Sequence, residues 1–428
     1  MSFAVSKKPP VLVAPAAATP SGYLPLSYFD RLPAQNFFIE TIFVYRHGVE
    51  PARVVREAVA RVLVPYYPLA GRLTTDTDDG KMHVACTGDG LWFVEASAGF
   101  GLEEVDFLER QPLKMPKDEL LPSLPSEIVD NGVPFMIQVT EFKCGGFTIG
   151  FKSSHVMFDG IGAAQFKTAI GEMARGLAEP TTRPVWCRDA IPSPPEDLQN
   201  ETQLTHSAEF TAHQFEHYTT DVPLDAVNRL QEELQRETGQ RCSVFDVVTA
   251  KLWQCRTRAI GPAPGSDVTL SFPANIRGEL REELPSEGGY YGNCTMPFVV
   301  KAPGAKVASA PLSEIVTLIM EAKRSLPAKV RRFLKGEKEH GSGADDLSTT
   351  TTLTYGTTNL TDMRRVGLSD ADYGWGAPAH VVPLVYGPIN LCLILNSPLG
   401  KKHIRLLTHC VAKEHLQAFV DELKSLQA

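Results

Sequence analysis

Gly145-Gly-Phe-Thr-Ile-Gly-Phe-Lys-Ser-Ser-His155-Val-Met-Phe-Asp159-Gly160-Ile-Gly-Ala-Ala-Gln-Phe-Lys-Thr-Ala-Ile-Gly-Glu-Met-Ala-Arg175 is the stretch on which the reading of this chain turns. Residues 145–154 read as a buried strand and 160–175 as a helix. Between them an apolar run delivers a histidine, and a Gly-rich turn follows at once. An imidazole at such a corner can point into a cleft while its backbone stays fixed, which suits a general base.

The His-x-x-x-Asp spacing says little by itself. With 11 His in the chain, the pattern should arise about half a time by chance. It occurs twice, at His155/Asp159 and at His217/Asp221. His217 lies in an alternating, strand-like stretch. Asp221 reads as part of the turn that opens the next helix.

Size and charge narrow the class. A chain of 428 residues can bury two cores. Hydrophobic residues at 43% and charged residues at 21% are ordinary for a globular protein. The net charge of −8 argues against a nucleic-acid binder, which would present a basic stripe. No apolar run approaches the roughly 20 residues of a membrane span, and Pro9 and Pro10 interrupt any secretory core. Eight scattered cysteines without a Cys-x-x-Cys pair fit a reduced cytoplasmic protein, with neither a disulfide framework nor a structural zinc site.

Strands and helices then alternate along the chain. The sequence predicts a strand over 37–45, a helix over 50–63 that stops at Pro65, helices over 224–238 and 243–258, and a strand over 268–277. Residues 312–334 read as a helix broken at Pro327. Strands are expected over 389–395 and 404–411, followed by a C-terminal helix. Residues 336–346 read as a charged, Gly-rich surface loop. A Pro-rich crossover near 191–215 separates an N-terminal domain, 1–190, from a C-terminal one, 216–428. The expected class is α/β, with mixed sheets flanked by helices.

Several short motifs stand in order. They are Pro25-Leu-Ser-Tyr-Phe-Asp30, Tyr67-Pro-Leu-Ala-Gly-Arg72-Leu, the His155 corner, Pro184-Val-Trp186, Pro273-Ala-Asn-Ile-Arg277, Tyr291-Gly-Asn-Cys294 and Asp372-Tyr-Gly-Trp-Gly376. Together, over nearly the whole chain, they resemble the BAHD family of plant acyl-CoA-dependent acyltransferases. Tyr373 stands where the family usually has Phe. The resemblance implies two domains of similar topology, like chloramphenicol acetyltransferase, and an active-site channel between them. It implies acyl-CoA as cosubstrate, no tightly bound cofactor, a small alcohol acceptor and a monomer. His155 would take the acceptor's proton as its oxygen attacks the thioester. The family pattern turns Asp159, which precedes Gly160, away to pair with Arg277. Asp372, Gly374, Trp375 and Gly376 would be architectural, two glycines letting backbones approach around an indole.

Gap-free counting places Thr361 where related transferases carry a hydroxyl beside the reacting centre; a strand threonine satisfied by backbone is the competing reading. Polyanionic CoA needs local cations. Ser243 and Lys251 are the candidates, with Arg256 and Arg258 nearby. In the shikimate and quinate transferases of the family a His and a Trp hold the polyol acid. Here Phe38 and Met363 occupy those places, while Arg365 is retained. A greasier pocket favours an aromatic or aliphatic alcohol, and Phe37, Phe38, Ile42 and Phe43 offer flat packing surface. His155-Val-Met-Phe-Asp-Gly and His380-Val-Val-Pro-Leu384 resemble the alcohol-acylating branch, including grass p-coumaroyl-CoA monolignol transferases. The expected reaction moves a hydroxycinnamoyl group to a monolignol. Acetyl or benzoyl donors, and shikimate, polyamine or ω-hydroxy fatty acid acceptors, stay open.

Two other classes compete. His213-Gln-Phe-Glu216-His217 spells an inverted zinc-peptidase pattern, which needs both histidines on one helix face. A non-catalytic acyl-CoA-binding member of the same fold would lack a working His155 corner.

Overall fold

The computed structural model describes the chain except residues 1–2, 77–79, 131, 195–204, 207–212, 338–351, 386–389, 399 and 427–428. Most of the expected crossover and residues 338–346 of the expected charged loop therefore lie outside the described residues.

The chain divides into two compact units. The first comprises Met1–Pro192, Leu280–Cys294 and Arg365–Leu384; the second comprises Ser193–Glu279, Thr295–Arg364 and Val385–Ala428. A contiguous split at the crossover differs from this division. Two later segments join the first unit through backbone pairing: Pro184–Val185 pairs with Gly289–Tyr290, and His380–Leu384 adds an edge strand.

The first unit holds a seven-stranded mixed sheet. Its strands are β1 (Val5–Lys7), β2 (Val11–Val13), β3 (Phe38–Tyr45), β4 (Leu91–Ala98), β5 (Phe135–Phe142) and β6 (Phe147–Ser154), with His380–Leu384 from the later segment. The spatial order is β1-β4-β5-β6-β3 and then the His380 strand, β2 also pairing with β4. β4 and β5 run parallel; the other pairs are antiparallel. Helix α1 (Pro51–Val62) starts with Pro51, whose missing N–H costs nothing in a first turn. Its buried Ala52, Val55, Ala58, Val59 and Val62 make one apolar face. That face packs beside α2 (Gly160–Ala174). Strand β3 is covered on both sides. Ile42 and Val44 join a cluster with Leu102, Val105 and Leu120, while Phe43 and Tyr45 pack against Phe151 and Phe147.

The second unit is built alike, from a six-stranded mixed sheet. Its strands are β7 (Phe215–Pro223), β8 (Asp267–Asn275), β9 (Thr295–Pro303), β10 (Thr357–Asp362), β12 (Leu391–Asn396) and β13 (His403–Ala412), where β11 denotes His380–Leu384 of the first unit. Their order is β7-β13-β12-β10-β8-β9. Helices α3 (Leu224–Thr238), α4 (Val244–Ile260), α5 (Gly304–Ser309), α6 (Leu312–Lys335) and α7 (Lys413–Leu423) accompany it. Trp253 of α4 is fully buried in a core with Leu270, Leu360, Ile394 and Leu406.

Two expectations are corrected. Helix α6 runs through Pro327 without a break. An internal proline costs about 3 kcal/mol, yet Ile315, Val316 and Ile319 before it and Val330 and Phe333 after it are all buried on the same helix, and their burial outweighs that cost. Asp221 belongs to β7 rather than to a turn, and both its oxygens accept from Arg405 at 2.8 Å. No helix of the described residues is long and apolar enough to cross a membrane.

Candidate active site

His155 stands where β6 ends and residues 155–157 make one 3-10 turn. Its backbone N–H donates to the Phe37 carbonyl at 2.9 Å, tying the corner to the entry of β3. The residue is half-buried. Nδ1 is shielded from water and has no partner among the described residues. The exposure therefore falls on the rest of the ring, which leaves Nε2 as the nitrogen able to meet a substrate. Burial pushes the imidazole below its ordinary pKa; its own carbonyl, Asp159, the Asn293 amide and Asp30 act in the opposite direction. The ring is thus neutral at pH 7, the form a general base requires.

Asp159 is buried and caps α2. Its Oδ1 accepts from the N–H groups of Ile161 and Gly162, both at 3.1 Å, and its Oδ2 from that of Cys294 at 3.0 Å. Gly160 opens the helix directly after this cap. Arg277 belongs to the second unit, where its backbone N–H and Nη1 both donate to Asn275 Oδ1.

A second buried carboxylate lies close to the corner. Asp30, from the motif ending in Phe29-Asp30, pairs with Arg188 at 2.9 Å, and both side chains are fully shielded. Asp30 also accepts from the Ser27 N–H at 2.8 Å, the Ser27 hydroxyl at 2.7 Å, the Asn293 N–H at 2.8 Å and Asn293 Nδ2 at 3.0 Å. Arg188 reaches on to the Met157 carbonyl at 2.7 Å. Tyr66, Trp186, Tyr291 and Phe158 pack edge to face around the same corner. Three motifs far apart in sequence therefore converge on the histidine turn. The sequence reading missed Arg188 and gave Asn293 no role. The available signals were an arginine two residues after Trp186 and an asparagine inside the motif ending at Cys294.

The Asp372 motif is also in the first unit. Asp372 Oδ1 accepts from the N–H groups of Gly374 at 2.8 Å and Gly376 at 2.9 Å. Both glycines have left-handed backbones, φ 104° and 87°, which side-chain-bearing residues rarely adopt. Trp375 packs edge-on against Phe147, and Arg175, which follows the last residue of α2, donates to the Asp372 carbonyl. A Cβ on Gly171 of α2 would run into that carbonyl, so helix and loop meet backbone to backbone.

The acceptor candidates separate. Phe37 is 46% exposed with its ring 5.0 Å from the imidazole, and Phe38 is 43% exposed with the Lys152 ammonium over its face. Ile42 and Phe43 are core residues, because β3 is covered on both faces. Arg365 is exposed in the first unit. Met363 is in the second unit, packed against Val385, Leu393, Leu395 and Leu407.

Thr361 is half-buried on β10, opposite Leu393 of β12. Ser243 caps α4 in a reciprocal box with Asp246, its hydroxyl 2.7 Å from the carboxylate. Lys251 is half-buried on the same helix. Arg256 is fully buried and donates to the carbonyls of Cys410 and Tyr355, a packing role rather than a solvent-facing one. Arg258 bonds the Ala308 carbonyl and Glu422.

His217 and Glu216 of the zinc-peptidase pattern lie on strand β7, not on a helix. The rings of His217 and His409 stack at 4.2 Å, and burial with the His409 neighbour pushes His217 down to about 4. Among the described residues no group of three or more His, Cys, Asp or Glu could hold a metal ion.

Residues 3–426 match a family model described as Transferase family. Among curated proteins, the chain is 49% identical to a myricetin 3-O-glucosyl 1,2-rhamnoside 6'-O-caffeoyltransferase of Crocosmia x crocosmiiflora, with 99% of each chain covered. It is 40% identical to acyl transferase 4 of Oryza sativa subsp. japonica, again over 99% of each. Benzyl alcohol O-benzoyltransferase of Petunia hybrida is 32% identical, over 99% of this chain and 94% of the other. Among solved structures, vinorine synthase superposes with a TM-score of 0.74 at 19% identity, covering 99% of this chain and 98% of that one. The F. sporotrichioides TRI101 complex with coenzyme A and T-2 gives 0.69 at 14% identity, covering 95% of this chain and 98% of that one.

Proposed function

Because this chain belongs to the Transferase family, the BAHD acyltransferases, and is an acyl-CoA-dependent acyltransferase, we propose that it moves a hydroxycinnamoyl group from CoA to a hydroxyl on an aromatic acceptor, with His155 as general base. The observation that carries this reading is the half-buried imidazole, neutral and open at Nε2, on a corner held by backbone bonds. Nε2 takes the hydroxyl proton while the acceptor oxygen bonds to the thioester carbon. The C–S bond then breaks, and the CoA thiolate receives the proton from the imidazolium. Such help is worth on the order of 100- to 10,000-fold.

The caffeoyltransferase relatives favour a hydroxycinnamoyl donor. Phe37, exposed beside the imidazole, supports an acceptor with an aromatic ring to stack. A monolignol is the simplest such alcohol. A sugar hydroxyl of a phenolic glycoside is the second reading, favoured by the acceptor in those relatives' names. Thr361 is the candidate donor to the oxyanion. Lys251 is a better candidate for CoA phosphate than Ser243, whose hydroxyl its cap engages. Phe38, Met363 and Arg365 are kept as acceptor contacts, and a monomer in the cytoplasm as the working state.

A donor-by-acceptor matrix read by mass tests the proposal. Coumaroyl-, caffeoyl-, feruloyl-, benzoyl-, acetyl- and malonyl-CoA are crossed with monolignols, phenolic glycosides, shikimate, spermidine and long-chain alcohols. Esters from the first three donors are expected, and none with His155→Ala beyond about a hundredth of the parent rate. Binding of CoA thioesters without turnover on any acceptor would return the chain to the non-catalytic class.

A further inference from the structure

We infer that Asn359 is a contact for the pantetheine arm of acyl-CoA: its Oδ1 accepts a hydrogen bond from an amide N–H of that arm. The inference rests on acyl-CoA as cosubstrate and not on the role of His155, so binding without turnover can test it.

The sheet of the second unit has two unlike faces. Side chains alternate along a strand, and neighbours in register point the same way. Leu270 of β8, Leu360 of β10 and Cys392 of β12 point to the face packed against α4, in the core with Val247 and Trp253. Asn359 and Thr361 therefore point to the opposite face, and Ser271, in register with Asn359, points there with them. Strands β8 and β10 lie inside the sheet, not at its edge. An interior strand buried on both faces would carry apolar residues on each. An amide and two hydroxyls there suit a polar ligand better than a core.

A chain of two amides sets the orientation of Asn359. Asn390 is fully buried, and its Nδ2 donates to the Thr357 carbonyl at 2.6 Å. A carbonyl only accepts, so the nitrogen of Asn390 must lie on that side and its Oδ1 on the other. That oxygen in turn accepts from Asn359 Nδ2. Flipping either amide would set oxygen against oxygen. Asn359 Oδ1 is thereby turned away from the pair as a pure acceptor. No described residue donates to it, and the half-buried side chain keeps it open to solvent. An acceptor already aimed loses little freedom when a donor arrives.

Charge selects the part of CoA that fits. Ser271, Thr357 and Thr361, beside Asn359 on the same face, are all neutral. Phosphates need cations, which these residues do not supply. The pantetheine arm is neutral, and its amide N–H groups are the donors that a carboxamide oxygen matches. Thr361, the proposed oxyanion donor, stands two residues on, roughly 7 Å along the strand. That is near the spacing between a thioester carbonyl and the first amide of the arm.

Calorimetric titration of the full-length protein with CoA and with 3′-dephospho-CoA reads the contact, using Asn359→Ala and Asn359→Leu. Each variant should weaken both ligands equally, by about three- to tenfold, the worth of one neutral hydrogen bond. The KM for acyl-CoA should rise by the same factor while that for the acceptor stays. Parental affinity for CoA in both variants overturns the inference. So does a loss seen with CoA but not with 3′-dephospho-CoA, which would place the contact at the phosphate, or a rise in the acceptor KM alone. Should neither variant fold, a crystal structure of the parent with CoA decides: Oδ1 out of hydrogen-bond reach of both pantetheine nitrogens overturns it.

Discussion

The Tyr373 hydroxyl donates to the Lys167 carbonyl at 3.1 Å, joining residues 206 positions apart. Tyr45 makes a parallel tie to the Ala371 carbonyl at 2.6 Å, so the loop carrying Asp372 is fastened to both α2 and β3. The hydroxyl at a position where the family usually has Phe is thus satisfied inside the core. Tyr373→Phe should lower stability by about 1 kcal/mol, read as a shifted denaturant midpoint, with turnover unchanged. Lost turnover at parental stability would give the loop a direct part in the reaction.

Lys167 itself is buried, with its ammonium 3.2 Å from Thr41 Oγ1 and over the rings of Phe43 and Phe151. Burial pushes it from 10.5 down to about 7. Between those values the unfolded chain holds the extra proton, so stability should rise with pH across that window and level off below it. Lys167→Met keeps the volume and removes the charge. It should raise stability at pH 7 by on the order of 2 kcal/mol and flatten the slope. Melting curves of the parent that show no pH dependence across that window would mean that the buried lysine keeps its ordinary pKa and stays charged.

Asp159 answers three backbone N–H groups. Asp159→Ala removes the cap of α2, about 1 kcal/mol, and strands the buried Cys294 N–H, another 1–3 kcal/mol or so. Loss of soluble protein is the expected outcome. A folded but inactive variant would point to a direct catalytic part for the carboxylate.

The pH dependence of kcat/KM follows from His155. Its pKa is lowered by burial, so activity should hold on the acid side below the ordinary histidine value and fall only as the ring protonates. A limb above that value would mean that the fold raises the pKa of the ring instead of lowering it.

The sequence alone determined what local pattern encodes. Strand β6, the histidine corner and helix α2 were legible because an apolar run, a Gly-rich turn and helical spacing are features of neighbours in the chain, whereas the cap that Asp159 makes was not read there. The same holds for α1, which begins at a proline, and for α3 and α4. Sequence could not decide whether Pro327 ends a helix, since that depends on burial of the residues flanking it. Nor could it show that Arg188 would find Asp30 across 158 positions, or that Asn293 would reach the same carboxylate across 263. A buried charge is tolerable only beside its partner, and that partner is chosen by how distant segments pack. Tertiary structure decided which motif residues surround the imidazole, because no period along the chain records a contact made through space.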